Sequence, residues 1–223
     1  MAFAALNGVP IHEGRICMPR IGAWHADLAA TMDAPSGRCT LAIDGGPTLV
    51  GTSHRSGSWL DTAHVRMVAG ADGLGKRAEP RHYRGASLRI VLLDLLATAG
   101  ETLSGAAGAS VLRLNFDAWT TIGQSVGRMI GALLADSRLP AATTWRLLPD
   151  GTLWVGQDTW PDSGLMPVTD YQDITEDPAI GTIELGVEEP TLLPGTLLGG
   201  RKVSYVEHRI TGESTRTSVW VED

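Results

Sequence analysis

The sequence predicts a mainly β protein with two helices, an α+β fold, and three observations predict it. Most of the chain is short apolar or alternating runs on the two-residue strand period, punctuated by Gly and Pro. Helical spacing recurs in only two stretches, Leu88 to Ala99 and the segment after Asp117. The closing segment VSYVEHRITGESTRTSVWV also echoes the earlier LVGTSHRSGSWLDTAHVRMV. His54-Arg55, Gly57 and Thr62 fall in the order of His208-Arg209, Gly212 and Thr217, with one extra residue before Gly212. Self-similarity at long range marks a duplicated module, which belongs to architecture more often than to chemistry.

From the N-terminus, Arg38 to Ile43 and His64 to Val68 read as strands of a small barrel or sandwich, broken by Gly45-Gly46-Pro47, Gly57 and Gly70 to Gly75. Ala23 to Met32 reads as a helical turn ended by Pro35-Ser36-Gly37. The first helix carries Leu88, Val91, Leu92, Leu95 and Leu96 on one side, with Ser87 as N-cap and Gly100 as its stop. Asp117 caps the second, whose apolar side is Ile122, Val126, Ile130, Leu133 and Leu134, and Pro140 forbids continuation. Gly123, Gly127 and Gly131 recur every fourth residue in it. Each glycine costs a helix about 1 kcal/mol relative to alanine, so the stripe predicts a close-packing face. Pro149-Asp150-Gly151 presets the turn of a hairpin with Trp145 and Trp154 on neighbouring strands. Strand alternation returns at Ile180, and the closing hairpin turns over near Gly212.

With 18 basic and 25 acidic residues the net charge is −7, which disfavours a general nucleic-acid-binding surface. From Asp158 to Glu189 there are nine acidic residues and no Lys or Arg, whereas Lys76, Arg77, Arg81, Arg84 and Arg89 cluster with Glu79 alone. Arg77, Arg81 and Arg84 on one side, and Asp170, Asp173, Glu176 and Asp177 on the other, form candidate inter-subunit charge patches. Solvated faces are the plainer alternative. No apolar run of membrane-spanning length and no signal-peptide pattern occurs. The two cysteines, Cys17 and Cys39, are expected reduced and buried.

Gly123-Gln124-Ser125-Val126-Gly127 fits a hydrolase nucleophile elbow, and an Asp followed by His208 completes the chain order of a Ser-Asp-His triad. The context argues against it, since Ser125 falls within the second helix and no central strand leads into it. His12, His25, His54, His64, His82 and His208 make no metal-ligand spacing with the cysteines, and the Gly70 to Gly75 run lacks the GK[ST] of a phosphate loop. No catalytic, cofactor-binding or metal-binding residue is therefore assigned. A carbohydrate-binding β module using exposed tryptophans is a further alternative.

At WRLLPDGTLWVG, and again at LLPGTLLGGRKVSYVEHRITGESTRTSVWV, the sequence resembles bacteriophage tail baseplate hub (tail tip hub) proteins, relatives of type VI secretion spike proteins. The resemblance runs from about Gly51 to the C-terminus. It implies two related small β-barrel domains, at residues 1–87 and 166–223, joined by a helical segment (88–140) and a β-hairpin (141–165). It further implies a homotrimer in the virion tail, assembled in the host cytoplasm, adapting a hexameric tail tube to a threefold tip or spike. The implied partners are the tail tube or distal tail protein and the spike or tip protein. DNA or a tape-measure protein would pass the lumen without specific binding. No membrane, no cofactor and no catalysis of its own are implied.

Overall fold

The computed structural model describes residues 3–165, 175–177, 181–185, 188–211 and 214–222, with backbone alone for 175–177. Six strands open the chain: β1 (Ala4–Leu6), β2 (Val9–Pro19), β3 (His25–Ala30), β4 (Gly37–Ile43), β5 (Thr48–Trp59) and β6 (Thr62–Ala69). They pair antiparallel in the order β1-β4-β5-β6-β3-β2, and β1 returns to β2 at Ala5 and Pro10, closing a barrel. Alternate residues fill it, among them Leu6, Ile16, Leu41, Leu49 and Met67, all fully buried. Closure through β1, which pairs both β4 and β2, reduces the open edge available to stray strands. The helical turn expected at Ala23 to Met32 is strand β3. Ala26, Leu28 and Ala30 face the core while Asp27 faces out, a two-residue period that pairing on both edges enforces over the helix preference of Ala and Leu.

β7 (His82–Ser87) leads into α1 (Leu88–Ala99). The Ser87 hydroxyl accepts the Ile90 amide at 3.4 Å, and Gly100 ends the helix in the left-handed region, as the sequence predicts. After a single turn, α2 (Ala109–Leu112), the chain departs from expectation. Asn115–Thr120 is strand β8, paired antiparallel with β7, and the next helix, α3, covers only Val126–Leu134. Asp117 is therefore a strand residue. Ladder bonds to β7 satisfy this backbone, and Gly123, at φ +69°, turns the chain before the helix starts. α1 and α3 bury Leu92, Leu96, Ile130 and Leu133 in the same apolar core as the barrel.

β9 (Thr143–Leu147) and β10 (Leu153–Gln157) form the hairpin set by Pro149-Asp150-Gly151, with Asp150 Oδ1 accepting the Thr152 amide at 2.9 Å. Its tip seats on the barrel. The Val50 amide donates to Pro149 O at 2.7 Å, the Leu147 amide to Gly22 O at 2.9 Å, and Trp24 Nε1 to Leu148 O at 3.2 Å. These bonds give both the loop and strand β5 partners that the barrel alone does not supply.

The last strands are β11 (Thr175–Asp177), β12 (Thr182–Leu185), β13 (Leu197–Leu198), β14 (Arg201–Ile210) and β15 (Thr215–Glu222). Their pairing order, β13-β14-β15-β12-β11, repeats β4-β5-β6-β3-β2 strand for strand, every pair antiparallel in both. Among the described residues this second set does not close on itself. It continues the first sheet, because β2 pairs β3 along one edge and β14 along the other, from Gly14↔Ile210 to Pro19↔Tyr205. The duplication is thus one of topology, and the echo is right at its first element: Arg55 stands opposite Arg66 on β6 as Arg209 stands opposite Arg216 on β15. Beyond the arginines the sequence match fails. The β5–β6 hairpin runs on to Trp59↔Thr62, whereas β14 and β15 end at Ile210↔Thr215. Gly57 lies within strand β5 opposite His64, so it does not correspond to a turn. Gly212 itself lies outside the described residues.

Gly151 sits at φ +79°, where a Cβ would stand 2.8 Å from Val50 O. Gly151→Ala is expected to destabilise the protein by about 2 kcal/mol through strain and loss of the docked tip, measured as a lowered midpoint of chemical denaturation.

Candidate functional site

The residues singled out from the sequence do not converge. Gly123 precedes α3; Gly127 is in it, with Leu74 O 3.5 Å from where its Cβ would be; Gly131 faces nothing within 4 Å. Within the chain they are therefore not a close-packing stripe, because the helix starts too late to align Gly123 with the other two. Arg77 donates from Nε to Gly123 O at 3.0 Å. Arg81 is held between Glu79 and Asp94, each at 2.9 Å, so most of its charge is already matched. Arg84, on β7, bonds His82 at 3.3 Å. Glu176 and Asp177 are on strand β11 with undescribed side chains, and Asp170 and Asp173 lie outside the described residues.

Ser125 is the N-cap of α3, not a residue within the helix, but the triad is still not assembled. His208 is fully buried in the sheet between β2 and β15. Its Nδ1 is 3.0 Å from Thr217 Oγ1, Phe3 packs on its ring, and Nε2 has no hydrogen-bond partner. No carboxylate orients the ring and no serine meets it. Burial pushes its pKa down to about 4, so the ring is neutral at neutral pH. The Gly70 to Gly75 loop does bind an anion with its backbone, but the anion is the chain's own: Glu101 accepts from the amides of Ala71 and Gly73 at 2.9 to 3.2 Å. Nor are the hairpin tryptophans open platforms for a sugar. Arg146 lies 4.3 Å over Trp154, while Arg20 and Lys202 cover Trp160 at 5.3 and 5.8 Å.

Those arginines belong to a cluster that sequence reasoning missed. Asp158, 2% exposed at its side chain, receives Arg146 at 2.6 Å on one oxygen and Arg20 at 3.0 Å on the other. Arg20 follows β2, Asp158 follows β10, and Gly195 approaches both Arg146 and Asp158 from the last module. One carboxylate thus ties barrel and hairpin together, with Gly195 lying alongside, next to a cavity of about 510 Å³ walled by Trp24, Trp154, Pro149 and Pro194. Asp158 is the first acid of the acidic stretch, and its role was hidden because its partners lie 12 and 138 residues away.

The outer face of the continuous sheet carries a second arrangement. Strand register aligns Arg55, Arg66, Asp27, Arg15, Arg209 and Arg216 one per strand across β5, β6, β3, β2, β14 and β15. Glu207 is buried between Arg15 and Arg209. Exposed large apolar side chains occur at Ile21, Ile122 and the outer face of α1 (Ile90, Leu93), and at the β5–β6 tip at one end of the row, where Trp59 is 70% and Leu60 85% exposed. Among the described residues no three His, Cys, Asp or Glu side chains converge as metal ligands, and no helix is long and apolar enough to cross a membrane.

The fold is similar to those of two solved phage tail proteins and of one type VI secretion component. The 43 kDa tail protein of prophage MuSo2 from Shewanella oneidensis superposes with a TM-score of 0.73 at 11% identity, over 98% of this chain and 96% of that one. A tail protein from Neisseria meningitidis MC58 gives 0.66 at 15% identity, over 99% and 96%. An Escherichia coli type VI secretion component, described as structurally similar to the T4 tail proteins gp27 and gp5, gives 0.68 at 11% identity, over 99% of this chain and 77% of that one. No family model and no curated protein matches the sequence. At these identities the likeness is one of fold.

Removing Asp158 leaves two largely buried guanidinium groups unpaired, so Asp158→Ala is expected to cost about 3 to 5 kcal/mol in a denaturant titration. His208 gives a pH signature. Its folded pKa lies below the ordinary value of 6.5, so the unfolded chain takes the proton more readily. The stability that His208 contributes is complete above pH 6.5, falls as the pH drops, and levels off below about 4. Between these limits wild type should lose about 3 kcal/mol more than His208→Gln, measured by unfolding at a series of pH values.

Proposed function

We propose that this chain is a structural component of a phage-type tail, forming a threefold ring at the hub that adapts a hexameric tube to a threefold tip, without catalysis of its own. The observation that carries this reading is the repeated strand order together with the way the repeats join. Inside the chain, β2 of the first repeat pairs with β14 of the second. The counterpart of β2 is β11, and the counterpart of β14 is β5. β4 covers β5 only from Thr48 to Ser53, which leaves the outer edge of Arg55 to Trp59 without a strand partner among the described residues.

Setting β11 of one copy beside β5 of the next would therefore repeat the internal joint between chains. Such a contact is head to tail, and head-to-tail contacts make rings when the rotation closes. Three copies supply six repeats, which is the match between threefold and sixfold neighbours that the resemblance to baseplate hubs implies. Fold similarity to tail proteins and to a type VI secretion component supports the same reading. The surroundings of Ser125, at the N-cap of α3, and of His208, buried against Thr217, support the absence of hydrolase chemistry, since among the described residues neither bonds the other or a carboxylate. The tail tube, the tip or spike, and a virion location follow from this role as proposed partners and place.

Sedimentation equilibrium at about 100 µM protein is the direct test. A species of three times the 23.6 kDa chain mass is expected. A strictly monomeric or dimeric chain would remove the ring.

A further inference from the structure

We propose that the arginine row on the outer face of the sheet is a nucleic-acid contact surface that engages the phosphate backbone. The row is built by register, not by sequence proximity. Arg55 opposes Arg66, Arg66 opposes Asp27, Asp27 opposes Arg15, and Arg15 opposes Arg209. Neighbouring strands lie about 4.8 Å apart, so the six positions through Arg216 span about 24 Å in a line across the strands. That length is enough to follow several successive phosphates of a single strand.

A small excess of positive charge remains on this face: Arg55, Arg66, Arg15, Arg209 and Arg216 meet Asp27, Glu207 and Glu184, with Glu13 beside the row, inside a chain that is acidic overall. Glu207, 3% exposed at its side chain, is spent on Arg15 and Arg209, and it props both guanidinium groups up from beneath while leaving them 52% and 67% exposed. A guanidinium has five donors, and one carboxylate leaves several free for a phosphate fork. Trp59, on the same face of β5 as Arg55 and open to solvent, adds a surface on which a base can stack.

An acidic protein partner fits less well. Protein interfaces centre on clusters of apolar anchors, whereas here a lone Trp59 stands at one end of the row and His64, Gly57, Glu13 and Ser218 flank it elsewhere. A row of arginines on successive strands, interrupted only at Asp27, suits an extended polyanion. The net charge of −7 does not oppose this, because contact is decided by the local face. The surface exists on a single chain and does not depend on ring formation; closing a ring would extend it into a belt.

Fluorescence anisotropy with a labelled single-stranded 30-mer, in about 50 mM salt and then in a salt titration, tests the proposal. Saturable binding is expected. Arg55→Gln, Arg66→Gln and Arg209→Gln combined should weaken it by about tenfold or more and flatten the salt slope by about one per arginine removed. Arg84→Gln, Arg89→Gln and Arg128→Gln, an equal charge change on other faces, should leave affinity within about twofold. Arg55→Glu alone, at a position with no carboxylate partner among the described residues, gives the same answer should the triple variant fold poorly. Three outcomes overturn the proposal: no binding at low salt, equal loss in both triple variants, or competition by polyglutamate of equal charge as effective as unlabelled DNA, which would assign the row to an acidic protein. None of these outcomes bears on the solution mass that tests the ring.

Discussion

The structure depends on β2 being hydrogen-bonded along both edges. One edge belongs to β3 and the barrel; the other begins on β1, leaves it after Pro10, and is taken up by β14 from Gly14 onward. A single strand therefore decides where one sheet ends and the next begins, and the answer is that neither does. Its inward residues Ile16 and Met18 join Val206, His208 and Ile210 of β14 in the core, while its outward residue Arg15 is tied to Glu207. Burying an arginine-bound carboxylate in the seam fixes register, because sliding either strand by one residue would move Glu207 into the apolar face and His208 out of it.

Around that seam the rest of the chain works as bracing. The hairpin tip at Pro149 to Gly151 reaches the barrel strand β5, and Asp158 holds Arg20 just past the end of β2. α1 and α3 close the core from one side. Every brace joins segments far apart in sequence, and the result is one continuous core in place of two separable ones.

Local elements were legible in the sequence and non-local ones were not. Helix α1 was readable because its cap, apolar spacing and glycine stop agree, and the β9–β10 turn because proline, aspartate and glycine each satisfy one requirement of it. Ala23 to Met32 was misread because Ala and Leu favour a helix until two neighbouring strands compete for the backbone. The second helix was placed too early for a related reason: nothing in Asn115 to Thr120 announces that β7, some thirty residues back, is its partner. Duplication was visible only as His-Arg, since a hairpin of different length in each repeat displaces everything after it. The arginine row had no sequence signal at all, as its members come from six strands and align only through register.

The pairing of β2 with β14 has a further consequence in time. Arg15 and Glu207 are 192 residues apart, so the edge that β2 offers is made well before its partner. Loop closure over such a distance is slow, and an open strand edge invites pairing with another chain. During that interval β1 guards only the start of β2. The glycine and charged residues at Glu13, Gly14 and Arg15 are poor material for stray pairing, and they occupy the stretch left waiting. What specifies the joint in the finished molecule thus also lowers the hazard of its late completion.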